Sequence, residues 1–153
     1  MSRKATHEAM AYWLMKSEPE SWSWDQQKKT GRKGAEWDGV RNFQARNNMR
    51  AMRKGDLAFF YHSGEKKAVV GIVEVVKEAH PDSTDPTGQW DCVDVAAVAD
   101  LPQPVSLADI KANPRLKDMV LARVSRLSVQ PVSPQEWSMI CKLGGLAKPP
   151  QAS

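Results

Sequence analysis

The residues of this chain that could do chemistry are concentrated between Glu36 and Lys54. Trp37 precedes Asp38-Gly39, a dipeptide typical of a tight turn. An aromatic ring beside a cationic segment is suited to stacking on a nucleobase and binding phosphate, although a charged helix face is often only solvated. Five basic side chains and no acidic one follow the turn: Arg41, Arg46, Arg50, Arg53 and Lys54.

Trp37 itself has two interpretations. It is one of six tryptophans, most of which must pack in the core of a chain of this length. Its position before a turn and a basic segment also fits an exposed ring that stacks on a base. The local sequence leaves both interpretations open.

The neighbouring residues His62 and Ser63 suggest a nucleophile and its base. In a strand, however, adjacent side chains point to opposite faces and cannot form a hydrogen-bonded catalytic pair. The chain contains no P-loop, nucleophile elbow or dinucleotide-binding glycine motif. We therefore expect a non-enzymatic domain in which His62 is structural or donates a hydrogen bond in a pocket.

The spacing of possible metal ligands predicts no metal site. Cys92 and Cys141 are the only cysteines, and neither belongs to a Cys-x-x-Cys pair. His80, Asp82 and Asp85 do not match the spacing of a calcium-binding EF-hand loop. We expect reduced thiols, no bound metal and no cofactor.

Charge and length indicate one small domain with a local basic patch. The chain has 153 residues and a net charge of +4. Residues 28–54 hold nine basic and two acidic side chains, a balance of +7, so the remainder sums to −3. Such a patch fits a polyanion such as DNA or RNA. We expect one domain at 11–146, with flexible tails at 1–10 and 147–153. The protein should be a cytoplasmic monomer without a membrane segment, and its translation should start at Met1 or Met10.

Periodicity predicts short strands mixed with short helices, with no regular alternation between them. The predicted strands are 11–17, 57–63, 68–78, 90–100 and 122–132; the predicted helices are 22–29, 43–53, 107–112 and 134–143. Ser21 is the expected cap of the first helix, Pro102 and Pro104 the expected end of the fourth strand, and Gly71 a bulge or close backbone approach. Helix 43–53 should bury Ala45, Met49 and Met52 and present its arginines to solvent. The elements indicate a mixed α/β fold with a small barrel and helical insertions.

Five segments of the chain resemble the EVE domain family. They are AYWLMKSEP (11–19), WDGVRN (37–42), KGDLAFFYHS (54–63), GIVEVV (71–76) and SRLSVQPV (125–132). The resemblance implies a PUA-like pseudobarrel of about five to six strands with short peripheral helices, akin to the YTH domains that read methylated adenine in RNA. It also implies a module that binds a modified base, such as methylated cytosine, in DNA or RNA.

The resemblance further implies a base pocket, and the concentration of charge predicts that the basic residues named above bind phosphate. The implied pocket residues are Ser17, Trp37, Asn42, Tyr61, His62 and Ser63, with Ser125 and Leu127 on the closing strand. Two alternatives remain open: an enzyme acting on a modified nucleotide, and a module that binds an acidic protein partner.

Overall fold

The computed structural model describes residues 11–151. The predicted N-terminal tail and the last two residues of the predicted C-terminal tail lie outside this range. The strands are β1 (Tyr12–Ser17), β2 (Ala35–Glu36), β3 (Leu57–His62), β4 (Ala68–Pro81), β5 (Asp91–Ser106) and β6 (Val129–Val132). The helices are α1 (Trp24–Lys29), α2 (Phe43–Ala51), α3 (Leu107–Ala112), α4 (Val120–Arg123) and α5 (Pro134–Leu143), with a short 3-10 helix at Gly31–Lys33.

The six strands form one mixed sheet in the order β2-β5-β4-β3-β1-β6. β1 and β3 run parallel, and every other neighbouring pair is antiparallel. The parallel pair requires a long crossover, which contains α1, β2 and α2. This confirms the predicted mixed α/β class with about six strands and short helices around them.

Strand β1 is apolar on both of its sides, and each side packs in a different core cluster. Trp13 and Met15 pack in one core cluster, and Leu14 packs with Tyr12 at the edge of the other. The first cluster holds the buried face of α2, and the second holds α5. The predicted two-sided burial of β1 is therefore confirmed.

Helix α2 carries the basic segment and begins at a capped end. The Asn42 side chain accepts a hydrogen bond from the backbone N–H of Ala45 at 2.9 Å, which satisfies one of the free donors of the first turn. Ala45, Met49 and Met52 are at most 2% exposed, so the predicted apolar face is confirmed. The helix ends at Ala51, before the extended Met52, and is two residues shorter than predicted.

The strand predicted over 122–132 is wrong in its first half. The backbone N–H groups of Ala122, Arg123 and Val124 bond back to carbonyls three or four residues earlier, which forms α4. A strand begins only at Val129. The alternation of polar and apolar residues from Ser125 to Leu127 belongs to a turn, and a pattern this short does not distinguish the two.

Two smaller predictions are also wrong. Ser23, not Ser21, caps α1: its side chain accepts from the Gln26 N–H, and the Gln26 side chain accepts from the Ser23 N–H. Pro102 and Pro104 do not end β5. The pairing with β4 jumps from Asp100 to Val105, so the prolines lie in an irregular stretch where the ladder needs no N–H from them.

Gly71 has both predicted features. The strand register shifts on either side of it, and a Cβ atom added there would overlap the Trp24 ring. The absence of a side chain therefore lets the Trp24 ring lie directly against β4. Among residues 11–151, no helix combines the length and the apolar character needed to cross a bilayer.

Candidate functional site

A cleft of about 550 Å³ opens beside the end of β1 and the chain that joins β2 to α2. Its lining combines aromatic rings, hydroxyls, carboxylates and two cations. The lining residues are Lys16, Ser17, Glu18, Ser21, Trp22, Ala35, Glu36, Trp37, Asp38, Gly39, Val40, Arg41 and Ser128. The volume lies within the roughly 300–1,000 Å³ typical of small-ligand sites.

Two tryptophans line this cleft from different depths. Trp37 is 6% exposed and packs edge to face on Phe60, with ring centroids 5.3 Å apart, so it is a core residue whose edge reaches the cleft. Trp22 is half-buried, precedes α1 and donates its indole N–H to Gln27 Oε1 at 2.9 Å. Of the two interpretations of Trp37, the structure selects core packing, and Trp22 is the more exposed ring.

The backbone around Trp22 is fixed to the end of β1. The hydroxyl of Ser17 donates to the carbonyl of Trp22 at 2.5 Å, and the N–H of Trp22 donates to the carbonyl of Glu18 at 2.9 Å. The Ser17 carbonyl accepts from the N–H of Ser63 at 2.9 Å. These bonds hold the Trp22 ring at the cleft, where it is half-buried against the first core cluster.

The opposite wall is the predicted turn at Asp38-Gly39. Gly39 has a φ of 78°, a conformation that favours glycine. Its N–H donates to the carboxylate of Asp82 at 2.8 Å, and Arg41 pairs with the same oxygen at 3.2 Å. Burial opposes ionisation of Asp82, but hydrogen bonds from Thr84 and Gly39 and the contact with Arg41 outweigh it and lower its pKa.

Carboxylates give the cleft a capacity to accept hydrogen bonds. Glu18, Glu36 and Asp38 all line it. Burial raises the pKa of Asp38, and the nearby negative charges of Asp82 and Glu36 raise it further. Carboxylates accept from exocyclic amines such as N4 of cytosine, and serine hydroxyls can donate or accept.

Three of the predicted site residues lie at this cleft: Ser17, Trp37 and Arg41. Asn42 instead caps α2 through its side chain. Tyr61 lies in the second core cluster, where it is 2% exposed and burial raises its pKa to about 12. A Tyr61 hydroxyl buried in that cluster cannot line the cleft.

His62 and Ser63 line a neighbouring depression together with Pro19 and Glu20. The Nε2 atom of His62 lies 3.0 Å from the backbone N–H of Trp24 and accepts its hydrogen bond. Burial lowers the pKa of His62, consistent with this acceptor role. His62 thus supports the start of α1, and Glu18 is shared by the two depressions.

Ser125 and Leu127 do not lie on the closing strand, because β6 begins at Val129. Leu127 is 4% exposed and packs in the first core cluster. Ser125 reaches the cleft only indirectly: its carbonyl accepts from Nζ of Lys16 at 2.8 Å. Burial lowers the pKa of Lys16.

The basic residues of α2 contact the loop between β4 and β5. Nη1 of Arg46 donates to the carbonyl of Gln89 at 3.1 Å, and Nε of Arg50 pairs with Asp91 at 2.7 Å. Arg50 is 45% exposed at its side chain, so this ion pair remains open to solvent. Gln89 in the loop and Asp91 at the start of β5 therefore fix the directions of the two side chains.

An aromatic pair lies on the same surface. Phe43, 55% exposed, stacks on the half-buried Trp90 with ring centroids 4.8 Å apart. The Arg46 guanidinium lies 4.9 Å from the Phe43 centroid, and that of Arg41 lies 5.7 Å from the Trp90 centroid. We call these four residues the arginine–aromatic stack. Planar guanidinium groups held over rings are pre-organised to contact phosphate or bases.

Sequence reasoning missed Trp22, Glu36 and Asp38 as lining residues. The helix predicted over 22–29 includes Trp22, yet the Ser23-x-x-Gln26 pattern of a capping box is a signal that the helix starts after it. The two acids entered the sequence reasoning only as charges beside the basic segment. The direction of these two side chains depends on β2 and the turn after it. β2 is only two residues long, so its sequence shows no periodic pattern from which the direction could be predicted.

Comparison with known proteins gives a consistent result. The model of the EVE domain matches residues 11–143. Protein Atu2648 of Agrobacterium tumefaciens is 60% identical with a TM-score of 0.90, over 94% of this chain and 99% of that chain. The human THYN1 protein, solved in complex with 5-methylcytosine-containing DNA, is 37% identical with a TM-score of 0.82, over 92% of this chain and 99% of that chain.

A more distant structure shares the fold alone. The YTH domain of the Zygosaccharomyces rouxii MRB1 protein, solved with N6-methyladenosine RNA, has a TM-score of 0.56 at 15% identity, over 94% of this chain and 89% of that chain. This likeness agrees with the PUA-like fold predicted from the sequence.

Proposed function

This chain belongs to the EVE domain family, and we propose that it binds DNA that carries 5-methylcytosine, with the modified base held in the cleft beside Trp22. The observation that carries the proposal is the cleft itself, which combines a half-buried tryptophan with carboxylates and hydroxyls. Support also comes from the 37% identical human THYN1 protein, which was solved with DNA containing that base.

Stacking supplies the first part of base recognition. A base that is paired inside a duplex cannot enter a cleft, so the cytosine must first flip out of the base stack. Flipping costs a few kcal/mol. Contact between an aromatic ring and a base returns about 1–3 kcal/mol. In our proposal the half-buried Trp22 ring makes this contact through its accessible part, while the 5-methyl group packs on the buried Trp37.

Hydrogen bonds supply the second part. The N4 amine of cytosine is a donor, which suits the carboxylates of Asp38 and Glu36. Asp38 lies in the turn fixed by Asp82 and Arg41. A fixed carboxylate accepts a hydrogen bond from the N4 amine of cytosine. Thymine has a carbonyl oxygen at the same position, which cannot donate one, so the carboxylate disfavours thymine. Thymine also carries a 5-methyl group, so the cleft must make this discrimination to select 5-methylcytosine.

The DNA backbone is bound outside the cleft. Arg41 lines the cleft and also belongs to the arginine–aromatic stack, so it connects the two surfaces. Arg46 and Arg50 continue the cationic surface along α2, with Arg53 and Lys54 after its end. Phosphates near the flipped base are therefore proposed to lie along α2.

The proposal describes binding by a monomer, without turnover. Binding without turnover is supported by His62, whose Nε2 accepts from the Trp24 N–H and is therefore not available to take a proton from Ser63. An enzyme acting on the same base remains the alternative that an experiment must separate.

Fluorescence anisotropy with matched oligonucleotides tests the proposal. We expect the tightest binding to duplex DNA with a single 5-methylcytosine, and weaker binding to the same duplex with cytosine or thymine there. RNA carrying 5-methylcytosine and DNA carrying N6-methyladenine complete the set. Equal affinity for all of them would overturn the proposal, and new nucleosides found by mass spectrometry after incubation would favour an enzyme.

A further inference from the structure

Four possible metal ligands of different types meet on one face of the sheet. The donor atoms of Glu36, His80, Cys92 and Asp94 all lie within 4.8 Å of one another. Nε2 of His80 is 2.8 Å from Oδ1 of Asp94 and 3.8 Å from Sγ of Cys92. Sequence spacing gave no sign of this cluster, because its members come from three strands that are distant in the chain.

Strand register explains why these side chains converge. Glu36 on β2 lies opposite Asp94 on β5, and His80 on β4 lies opposite Cys92 on β5. Cys92 and Asp94 are two residues apart in one strand, so they point to the same face. The cluster therefore belongs to the rigid sheet, not to a loop.

One of the donor separations is close to that in a tetrahedral zinc site, whereas the 2.8 Å between His80 and Asp94 is a hydrogen-bond distance that a bound ion would lengthen. Zn²⁺ lies about 2.3 Å from a thiolate and about 2.0 Å from an imidazole nitrogen, which places two such ligands about 3.5 Å apart. The Cys92–His80 separation of 3.8 Å is near this value. Small rotations of the half-buried Glu36 and Asp94 side chains would bring their oxygens into range.

The imidazole of His80 is oriented as a ligand would be. Its Nδ1 lies 3.2 Å from the carbonyl of Pro81, and its Nε2 faces the carboxylate of Asp94. A neutral imidazole has one N–H, so two acceptors leave one ring nitrogen without a hydrogen for its partner. Either a second proton on the ring or a cation at Nε2 satisfies both contacts, and with a cation Nδ1–H still donates to the Pro81 carbonyl as an outer contact.

The surroundings of Cys92 favour a cation as well. Cys92 is fully buried, and the carboxylates of Glu36 and Asp94 lie beside its sulfur in the same cluster. The partly exposed side chains of His80 and Asp94, at 17% and 23%, leave an entry from solvent.

We propose that Glu36, His80, Cys92 and Asp94 form a binding site for one Zn²⁺ ion. A thiolate and an imidazole select zinc over magnesium or calcium, which prefer oxygen ligands alone. Zinc binding deprotonates the Cys92 thiol and releases that proton to solvent. The bound ion would connect β2, β4 and β5 directly beneath the wall of the cleft that contains Glu36.

Metal titration of the tag-free protein tests this site. Isothermal titration calorimetry with Zn²⁺ should show one equivalent bound, and Co²⁺ should give the near-ultraviolet absorption band of a thiolate–cobalt bond. Cys92→Ser should remove that band and weaken Zn²⁺ binding at least about tenfold, as loss of a ligand does. His80→Gln should weaken binding to a similar extent.

Cys141→Ser is the matched control, since Cys141 is equally buried but lies in the second core cluster. It should keep the cobalt band and the zinc affinity. The proposal is overturned if wild type gives no thiolate–cobalt band, or if Cys92→Ser and His80→Gln bind Zn²⁺ as tightly as wild type. Zinc titration of an Asp94→Asn variant keeps the test valid if Cys92→Ser fails to fold.

Discussion

The carboxylate of Asp82 and the backbone N–H of Gly39 lie 2.8 Å apart, although 43 residues separate them in the chain. Through this contact the loop after β4 holds the turn that forms one wall of the cleft. The Asp82 side chain is fully buried and also accepts from the N–H and hydroxyl of Thr84. The shape of the cleft therefore depends on a residue that does not line it.

Asp82→Asn should destabilise the protein by about 1–3 kcal/mol, because an amide replaces a buried carboxylate that accepts several hydrogen bonds and pairs with Arg41. Denaturant unfolding monitored by tryptophan fluorescence measures the change. Asp118→Asn, at an exposed carboxylate between α3 and α4, is the control and should stay within about 0.5 kcal/mol of wild type. Equal effects of the two substitutions would contradict the assigned role of Asp82.

Stability should fall between neutral and mildly acidic pH because of His62. Burial lowers the pKa of the His62 imidazole in the folded protein, whereas its pKa in the unfolded chain is about 6.5. As the pH falls, the unfolded chain therefore takes up the proton first. The contribution is fully present above that value and is lost as the pH falls toward the folded pKa. Unfolding free energies measured from pH 7.5 to 5 should show this slope in wild type.

His62→Gln should flatten that slope, since glutamine can still accept from the Trp24 N–H but does not titrate. An unchanged pH dependence in this variant would show that another group is responsible.

Substituting Arg46, Arg50, Arg53 and Lys54 with Gln should reduce both DNA affinity and its salt dependence. For each duplex phosphate that the protein no longer binds, the slope of log K against log salt should become shallower by about 0.9. Substituting Lys111, Arg115, Lys117 and Lys142 with Gln removes the same charge from exposed positions of α3, α5 and the segment after α3. If both quadruple variants change the slope equally, net charge and not the α2 surface carries the binding.

Truncation of Trp37 and truncation of Trp22 should lower the unfolding free energy of the protein by different amounts. Trp37→Ala removes a core ring that packs on Phe60 and should cost about 3–5 kcal/mol. Trp22→Ala removes a half-buried ring and should cost clearly less. Chemical denaturation of both variants makes the comparison, and equal losses of stability would contradict the different depths assigned to the two rings.

Much of the fold could be predicted from local signals. The apolar face of α2, the bounds of α3 and α5, and the neighbouring strands β3 and β4 all follow from patterns within a few residues. The failures have local causes too. The turn at 125–127 has the alternation of polar and apolar residues that is typical of a strand. Pro102 and Pro104 are tolerated in β5 because the β4–β5 register is interrupted beside them.

The site was less predictable than the fold. Of the pocket residues that the family resemblance implies, Trp37 and Ser17 line the cleft, whereas Tyr61 lies in the opposite core. Alternation along β3 sends neighbouring side chains to different faces, but does not say which face meets the cleft. Cross-strand groupings such as His80 with Cys92 require the register itself, which local patterns do not contain.

The central claim, that the cleft reads a cytosine methyl group, is tested most directly by one ratio. It is the dissociation constant for a duplex with cytosine divided by that for the same duplex with 5-methylcytosine. A buried methyl group is worth about 1–3 kcal/mol, so wild type should show a ratio of about 10 or more. Trp22→Ala removes the ring that holds the base in the cleft, so the methyl group no longer packs on Trp37 and the ratio should fall toward one. Phe43→Ala, which removes an exposed ring outside the cleft, should weaken both complexes and keep the ratio. A wild-type ratio near one, or a Trp22→Ala variant that keeps the wild-type ratio, would contradict the account.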